Sequence, residues 1–354
     1  MNKNFLISTG GSGGHVMPAL ILYQHLSEEA EITISTDKRG LKFINQDIPN
    51  LEIIDTPRLK NIFFLPFYFF QLFILTIKSL FCIKTKKIEK IFSMGGYMSL
   101  PVIFAAKLLN LDIYLLEPNQ VLGRTNKFFL SSCKKIFCYT NQIKNFPENF
   151  ISKIVNIDPL IGRDIYKLKK VSKQTTKFTI LIIGGSQGAN IFDMNLKKSI
   201  VDISKKIPIK VIHQTNEKNI FDLSNFYSEN NIENKIFSFE NNLFNFINQT
   251  NLCITRAGAS SLAELSFLNI PFIAVPLPTS KDNHQFENAK FYQSKGCCWL
   301  VEQNIFEEKI GNLLNDIILK KIQYNEKKEN LKKLNYLNSW ENVNQKISKA
   351  INEN

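Results

Sequence analysis

The chain reads as two doubly wound α/β domains. Three observations predict this. Short apolar runs alternate with helix-length segments along the whole sequence, the alternation is interrupted once near 158–177, and glycine-rich turns follow predicted strands in both halves.

Taken in order, the first half predicts strands at 5–8, 32–35, 51–54, 90–93, 113–116, 135–139 and 153–156. Helices are predicted between them at 16–27, 62–82, 99–110 and 123–131. Strand–helix alternation with short connections implies a parallel sheet covered on both faces. Residues 158–177 then change character, with Pro159, Gly162 and a polar run from Lys169 to Lys177 that reads as a linker. Alternation restarts with strands at 178–183, 210–213, 235–239, 252–254 and 272–275 and helices at 189–205, 243–249, 260–267 and 283–294. The tail from Ile305 is helical and charged. The expected domains are 1–162 and 163–354, with a last helix at about 337–354 returning to the first, and a cleft between the two as the default site.

Bulk properties fit this reading. A chain of 354 residues is long enough for two cores, and 44% hydrophobic with 21% charged residues is ordinary for a globular protein. The net charge of +13 attracts anions, whether phosphates, anionic lipid or nucleic acid. Its lysines are scattered, which favours a solvated basic surface over a nucleic-acid site. The six cysteines form no C-x-x-C pair and no histidine stands at zinc-finger spacing, so a reducing compartment and no metal cage are expected. The apolar run that begins at Phe5 is too short for a signal peptide.

Three glycine-rich turns carry the chemistry. Thr9-Gly10-Gly11-Ser12-Gly13-Gly14-His15 links the first strand to the first helix. Successive glycines let backbone N–H groups approach an anion, and the helix start adds partial positive charge. Ser93-Met94-Gly95-Gly96-Tyr97 and Gly184-Gly185-Ser186-Gln187-Gly188 repeat the arrangement after other strands. Neither the G-x-G-x-x-G spacing nor a P-loop Lys-Ser/Thr is present, nor an acidic residue about 20 residues on in the right context, which argues against a dinucleotide-binding oxidoreductase.

In the second half, Arg256-Ala257-Gly258-Ala259-Ser260-Ser261-Leu262-Ala263-Glu264 follows a strand and opens a helix. Small residues there admit a ligand, and Glu264 is placed to accept hydrogen bonds from a ribose diol. Asp282-Asn283-His284-Gln285-Phe286-Glu287-Asn288-Ala289 is dense in groups that bind sugar hydroxyls.

The turn at 10–20 (GGSGGHVMPAL), GGYMSLP at 95–101, EPNQVLGRTNKF at 117–128, GGSQGAN at 184–190, TRAGASSLAEL at 255–265 and DNHQFENA at 282–289 occur in this order. Together they resemble the MurG family of N-acetylglucosaminyltransferases, over nearly the whole chain. The resemblance implies the GT-B architecture of two Rossmann-like domains and metal-independent, inverting transfer without a cofactor. The implied donor is UDP-N-acetylglucosamine. The implied acceptor is lipid I (undecaprenyl-pyrophosphoryl-N-acetylmuramyl-pentapeptide) and the product lipid II, a peptidoglycan precursor made at the cytoplasmic side of the bacterial inner membrane. Cell-wall synthesis proteins are further candidate partners.

Residue by residue, the resemblance places Gly11, Ser12 and Gly13 near the acceptor pyrophosphate and donor sugar, and Asn119 in the cleft. It assigns Arg163 to the donor site, Ser186 to the nucleotide and Glu240 to a main-chain contact with uracil. Ala259, Ser260, Ser261, Leu262 and Ala263 correspond to the pyrophosphate-facing helix start, Glu264 to the ribose contact, and His284 with Gln285 to the sugar-hydroxyl pair. Two motifs depart from the family pattern: Leu116-Glu117-Pro118-Asn119 stands for His-Glu-Gln-Asn, and Asp158-Pro159-Leu160-Ile161-Gly162-Arg163 for Gly-Asn-Pro-hydrophobic-Arg. The base that takes the acceptor proton is His15, whose type titrates near 6.5, or Glu117.

The segment 62–77 is strongly apolar but contains Pro66 and Gln71, with Lys78 directly after it. It reads as a helix packed on the sheet that presents aromatics and lysines to an anionic membrane surface rather than one that spans it. Another GT-B transferase acting on a membrane lipid, a UDP-sugar 2-epimerase and a non-catalytic lipid or nucleic-acid binder are the alternative readings.

Overall fold

The computed structural model describes residues 3–44, 47–58, 61–168, 177–185, 190–238, 240 and 243–353. The chain divides into two compact units. One comprises Met1–Arg163 with Ser339–Asn354, the other Asp164–Asn338.

The first unit holds a seven-stranded parallel sheet. Its strands are β1 (Asn4–Ser8), β2 (Glu31–Thr36), β3 (Leu51–Ile53), β4 (Lys90–Ser93), β5 (Asp112–Glu117), β6 (Lys135–Cys138) and β7 (Ile154–Asn156). The spatial order is β3-β2-β1-β4-β5-β6-β7, so the order reverses between β1 and β4. Both faces are covered. Phe5 and Ile7 point into a cluster with Val16, Leu22, Val343 and Ile347, while Leu6 joins Ile83, Val102 and Ile103 on the other face. Alternate side chains of one strand thus enter two cores, which is why β1 is apolar at successive positions. The helix Trp340–Asn352 supplies Val343, Ile347 and Ile351 to the first of these cores.

The second unit holds a six-stranded parallel sheet of β8 (Phe178–Ile183), β9 (Ile209–Gln214), β10 (Glu233–Phe237), β11 (Leu252–Thr255), β12 (Phe272–Ala274) and β13 (Cys298–Leu300). Its order is β10-β9-β8-β11-β12-β13, with the reversal between β8 and β11. Ile180 and Ile182 face one core and Leu181 and Ile183 the other.

Several elements differ from expectation. The helix expected at 189–205 is two helices, Asn190–Asn195 and Lys197–Ser204. The one expected at 243–249 shrinks to Phe244–Ile247. The expected linker contains a helix, Arg163–Leu168, and its remainder through Thr176 lies outside the described residues. Strand β13, Cys298–Leu300, was not expected. All six cysteines are buried free thiols.

Candidate active site

In both units the glycine turns flank the point where strand order reverses, at the carboxyl ends of the strands. This is where open parallel sheets bind ligands, because the connections on either side depart in opposite directions and leave a crevice.

In the first unit, Gly10 (φ +146°) and Gly11 (φ +78°) follow β1, and Gly95 (+73°) and Gly96 (+76°) follow β4. These backbones are held closely. A Cβ on Gly10 would lie 2.6 Å from Asp37 Oδ1, so alanine cannot enter without displacing that carboxylate. Gly11 N–H and Gly40 N–H each donate to Asp37 Oδ1 at 2.8 Å, and Arg39 covers the other carboxylate oxygen. These donated hydrogen bonds and the Arg39 charge outweigh burial and keep the Asp37 carboxyl below the usual carboxylate range. Asp37 directly follows β2, the position of the acidic residue that the sequence reading held to be missing. The carboxylate braces the glycine turn and is buried, so it does not face outward as a ribose ligand would.

Ser12 is exposed and opens the helix Gly13–Leu26 without a side-chain cap bond; its carbonyl accepts from His15 N (3.0 Å) and Val16 N (3.2 Å), which leaves the N–H groups of Gly13 and Gly14 at the helix start. His15 occupies that first turn. Its carbonyl accepts from Thr9 Oγ1 (2.9 Å), and a Cβ on Gly96 would meet its Cε1 at 3.6 Å. The first two glycine turns therefore meet at His15. On the far side of Gly95 stands Asn126, whose Oδ1 would lie 2.9 Å from a Cβ at that glycine.

Asn126 leads to Glu117, at the end of β5. Glu117 is buried, and four hydrogen bonds converge on it. Asn119 N (3.3 Å) and Asn119 Nδ2 (3.0 Å) donate to Oε1, while Gly123 N (2.8 Å) and Asn126 Nδ2 (3.0 Å) donate to Oε2. Burial pushes this carboxyl up and the four donors pull against it. A carboxylate saturated in this way organises the loop 117–126 and orients the Asn119 amide. Arg163 stands apart from all of these. It is paired with Glu28 (3.5 Å) and lies over the Trp340 ring (5.3 Å), within the first unit.

In the second unit, Gly184 and Gly185 follow β8, and among the described residues nothing lies within 4 Å of the Cβ position of Gly185 (φ +79°). Ser186 lies outside the described residues. After β11, Arg256 is fixed by its guanidinium. Nη1 donates to the carbonyls of Val275 (3.2 Å) and Pro276 (3.3 Å), and Nη2 donates to Gln303 Oε1 (2.7 Å). Gly258 then caps the helix Ala259–Phe267 with no side-chain cap bond, which leaves the first-turn N–H groups of Ala259, Ser260 and Ser261 for a ligand. Leu262 and Ala263 are corrected here. Both side chains are buried in the core, and Leu262 N–H already donates to the Gly258 carbonyl (3.0 Å), so neither presents a polar group.

Glu264 is half-buried and has no hydrogen bond among the described residues. Burial pushes its carboxyl up to about 7. Gln285 Oε1 accepts from Leu277 N (2.9 Å) and Ala257 N (3.3 Å), while among the described residues its NH2 group donates to nothing. Asn288 Nδ2 donates to the Ala257 carbonyl (3.1 Å). Gln285 and Asn288 thus tie the start of helix His284–Ser294 to the turn before Ala259. His284 Nδ1 pairs with the Lys281 carbonyl (2.7 Å), and Glu240, half-buried, follows the edge strand β10. Sequence reasoning missed Asp37, Asn126 and Asn288. The last two lie inside motifs it quoted, but only the fold shows which loop each one holds. Among the described residues no three His, Cys, Asp or Glu side chains cluster as metal ligands.

Two crevices of this kind, one bordered by a carboxylate and an amide NH2 group that have no partner among the described residues, define a doubly wound α/β protein whose ligands sit at the carboxyl ends of its strands. Residues 5–138 match the glycosyltransferase family 28 N-terminal domain and 179–342 its C-terminal domain. The solved structure of Acinetobacter baumannii MurG superposes with a TM-score of 0.76 at 23% identity, covering 99% of this chain and all of that one. A Neisseria meningitidis UDP-GlcNAc 2-epimerase bound to UDP-GlcNAc superposes at 0.69 with 13% identity, covering 99% of this chain and all of that one, so fold likeness alone does not separate transferase from epimerase. Sequence likeness does. A Pelagibacter ubique protein named UDP-N-acetylglucosamine–N-acetylmuramyl-(pentapeptide) pyrophosphoryl-undecaprenol N-acetylglucosamine transferase is 48% identical, with both chains fully covered. A Rickettsia bellii protein of the same name is 34% identical over 89% of this chain and 91% of its own. The chain belongs to this transferase family, the MurG family.

Proposed function

We propose that this protein transfers N-acetylglucosamine from UDP-N-acetylglucosamine to lipid I, giving lipid II and UDP, with inversion and without a metal. The observation that carries the reading is full-length kinship with the lipid I transferases, joined to a second-unit crevice whose polar groups fit a nucleotide-sugar. Glu264 accepts hydrogen bonds from the ribose hydroxyls, as an otherwise unpartnered carboxylate would. The free N–H groups from Ala259 to Ser261 face the pyrophosphate and stabilise the charge that develops on UDP as it leaves. The Gln285 amide, fixed through its oxygen, donates to a sugar hydroxyl, with His284 beside it. Ser186 and Glu240 complete the nucleotide contacts in this proposal.

The first-unit crevice takes the acceptor, with the Gly13 N–H and the exposed Ser12 hydroxyl offered to its pyrophosphate, while Gly11 N–H, bonded to Asp37, and Ser12 N–H, bonded to the Gly10 carbonyl, hold the turn in shape. His15 removes the proton of the attacking hydroxyl. The saturation of Glu117 by four donors supports a positioning role for it, in which it presents Asn119. Arg163, held by Glu28 and Trp340, is better read as anchoring the end of the first unit than as a donor contact.

The helix Leu65–Thr85, with Ile62–Phe64 before it, seats the protein on the cytoplasmic side of the inner membrane. It passes a length and hydropathy test for spanning (24 residues, mean hydropathy 1.7), yet it packs through Leu72, Thr76, Cys82 and Ile83 onto its own unit. Its outward face carries Phe63, Phe67, Phe70, Phe73 and Phe81, each more than half exposed. A contiguous patch of this kind marks an interaction surface, and lysines at 78, 84, 86 and 87 suit anionic lipid.

A donor-specificity assay tests the proposal. With a short-chain lipid I analogue, turnover is expected from UDP-N-acetylglucosamine and little from UDP-glucose. Equal use of the two donors, or transfer to diacylglycerol in place of lipid I, would overturn it.

A further inference from the structure

We infer that the open edge of the second sheet is a docking groove for an extended acidic segment of a partner protein, which adds beside β13 as a further strand. The groove has a volume of about 460 Å³ and runs along Cys298–Val301, lined also by residues of the helices Phe306–Leu314 and Tyr324–Leu334. It lies wholly within the second unit and uses none of the residues assigned to the donor.

The backbone at this edge is available for pairing. Among the described strands, β13 ends the order of its sheet and pairs with β12 alone. Val301 N–H donates to the Ala274 carbonyl (3.0 Å). Alternate residues of a parallel strand turn their N–H and C=O to opposite sides, so Trp299 and Val301 serve β12 while Cys298 and Leu300 present theirs to the open side. A row of such groups is a template for another strand. The opposite edge of the sheet is blunted by charge, since Glu233 of β10 pairs with Lys177 (2.9 Å) and Lys210 (3.1 Å), whereas Cys298-Trp299-Leu300 carries none.

The groove also holds a cation without a counter-ion. Lys327 lines it and is only 8% exposed, yet among the described residues its ammonium has no hydrogen-bond or ion-pair partner. It rests over the Trp299 ring, 4.9 Å from the centroid, which offsets part of the cost of burial and leaves the charge unmatched. The other charges of the groove balance. Asp316 is paired with Lys320 (2.7 Å), and Glu308 and Lys309 are consecutive on the exposed rim. Side chains of laterally paired residues lie on the same face of a sheet. An incoming residue opposite Trp299 therefore turns its side chain to the face where Lys327 lies, and a carboxylate there meets the ammonium. A small carboxylate would satisfy Lys327 and leave the Leu300 backbone unpaired, whereas an extended chain satisfies both.

The test uses the full-length protein and the peptide Thr-Val-Glu-Val-Thr, acetylated and amidated so that its glutamate is its one charge. Saturable binding with a Kd below about 1 mM is expected by NMR titration, with slower hydrogen exchange at the Leu300 amide. The same peptide with Gln for Glu, and the Glu peptide N-methylated at its three central residues, are each expected to bind at least about tenfold more weakly. Lys327→Met, which keeps the apolar stem, is expected to remove the preference for Glu over Gln. Lys327→Arg should keep that preference, as should Lys328→Gln on the exposed side of the same helix. Because Lys327 is buried, the variants are compared at unchanged melting temperature, and the two modified peptides probe the same contacts on the wild type even where a variant misfolds. No saturation by about 1 mM, or equal binding of the Glu and Gln peptides, overturns the inference. If the N-methylated peptide binds as tightly as the parent and sodium acetate displaces both, the groove is a small-anion site and the inference is wrong.

Discussion

Replacing Glu117 by Gln separates positioning from proton transfer. The carboxylate oxygens each accept two hydrogen bonds, from Asn119 N and Nδ2 on one side and from Gly123 N and Asn126 Nδ2 on the other. Glutamine keeps one acceptor oxygen and turns an NH2 group toward two N–H donors. Two buried donors lose their acceptor, at about 1–3 kcal/mol each. Relief from burying a charge offsets part of this, so a net loss of roughly 2–4 kcal/mol in first-unit stability is expected. Urea unfolding followed by a first-unit probe measures it. Turnover should fall with the displacement of Asn119, while the pH at which activity is lost on the acid side stays where it is in the wild type. A Glu117→Gln protein as stable as the wild type would refute the hydrogen-bond argument. One that folds normally but loses its acid limb would make Glu117 the base.

The remaining expectations follow from single residues. His15→Ala should lower turnover about 10²–10⁴-fold, with UDP affinity by calorimetry unchanged; a variant that keeps full turnover removes His15 from the chemistry. The Glu264 carboxyl is raised to about 7 by burial, and ribose hydroxyls donating to it would favour its ionised form. The nucleotide should therefore bind best above pH 7 and lose affinity as pH falls below it, up to about tenfold per unit. Glu264→Gln should flatten that profile, and an unchanged profile would exclude the contact. Gly10→Ala forces a Cβ to within 2.6 Å of Asp37 Oδ1 at a positive φ, so a destabilisation of about 1–3 kcal/mol is expected in the same unfolding assay. Phe67→Ser/Phe70→Ser should reduce sedimentation with anionic liposomes severalfold without altering turnover of a water-soluble acceptor analogue.

Much of this architecture is legible in the chain because parallel strands buried on both faces are apolar at successive positions, as in Ile180–Ile183, and because each glycine turn follows such a run. The site was legible in part. Glu264 and Gln285 sit in local motifs whose chemistry is readable from neighbours in sequence. Asp37 is not so readable. Its partners Gly11 and Gly40 come together only through the pairing of β1 with β2, so nothing in the local sequence singles it out. The role of Glu117 was hidden for a similar reason, since its saturation depends on how the loop to Asn126 folds back. Leu262 and Ala263 were assigned from a motif, whereas the helical period turns both side chains into the core.

The measurement that bears most directly on the central claim is label transfer. The purified protein is incubated with radiolabelled UDP-N-acetylglucosamine and a short-chain lipid I analogue in EDTA, and the lipid product and UDP are quantified. The account predicts label in the lipid fraction as a β-linked disaccharide, with one UDP released per sugar transferred. Sugar released to water, epimerised UDP-sugar, or transfer that stops when EDTA is added would contradict it.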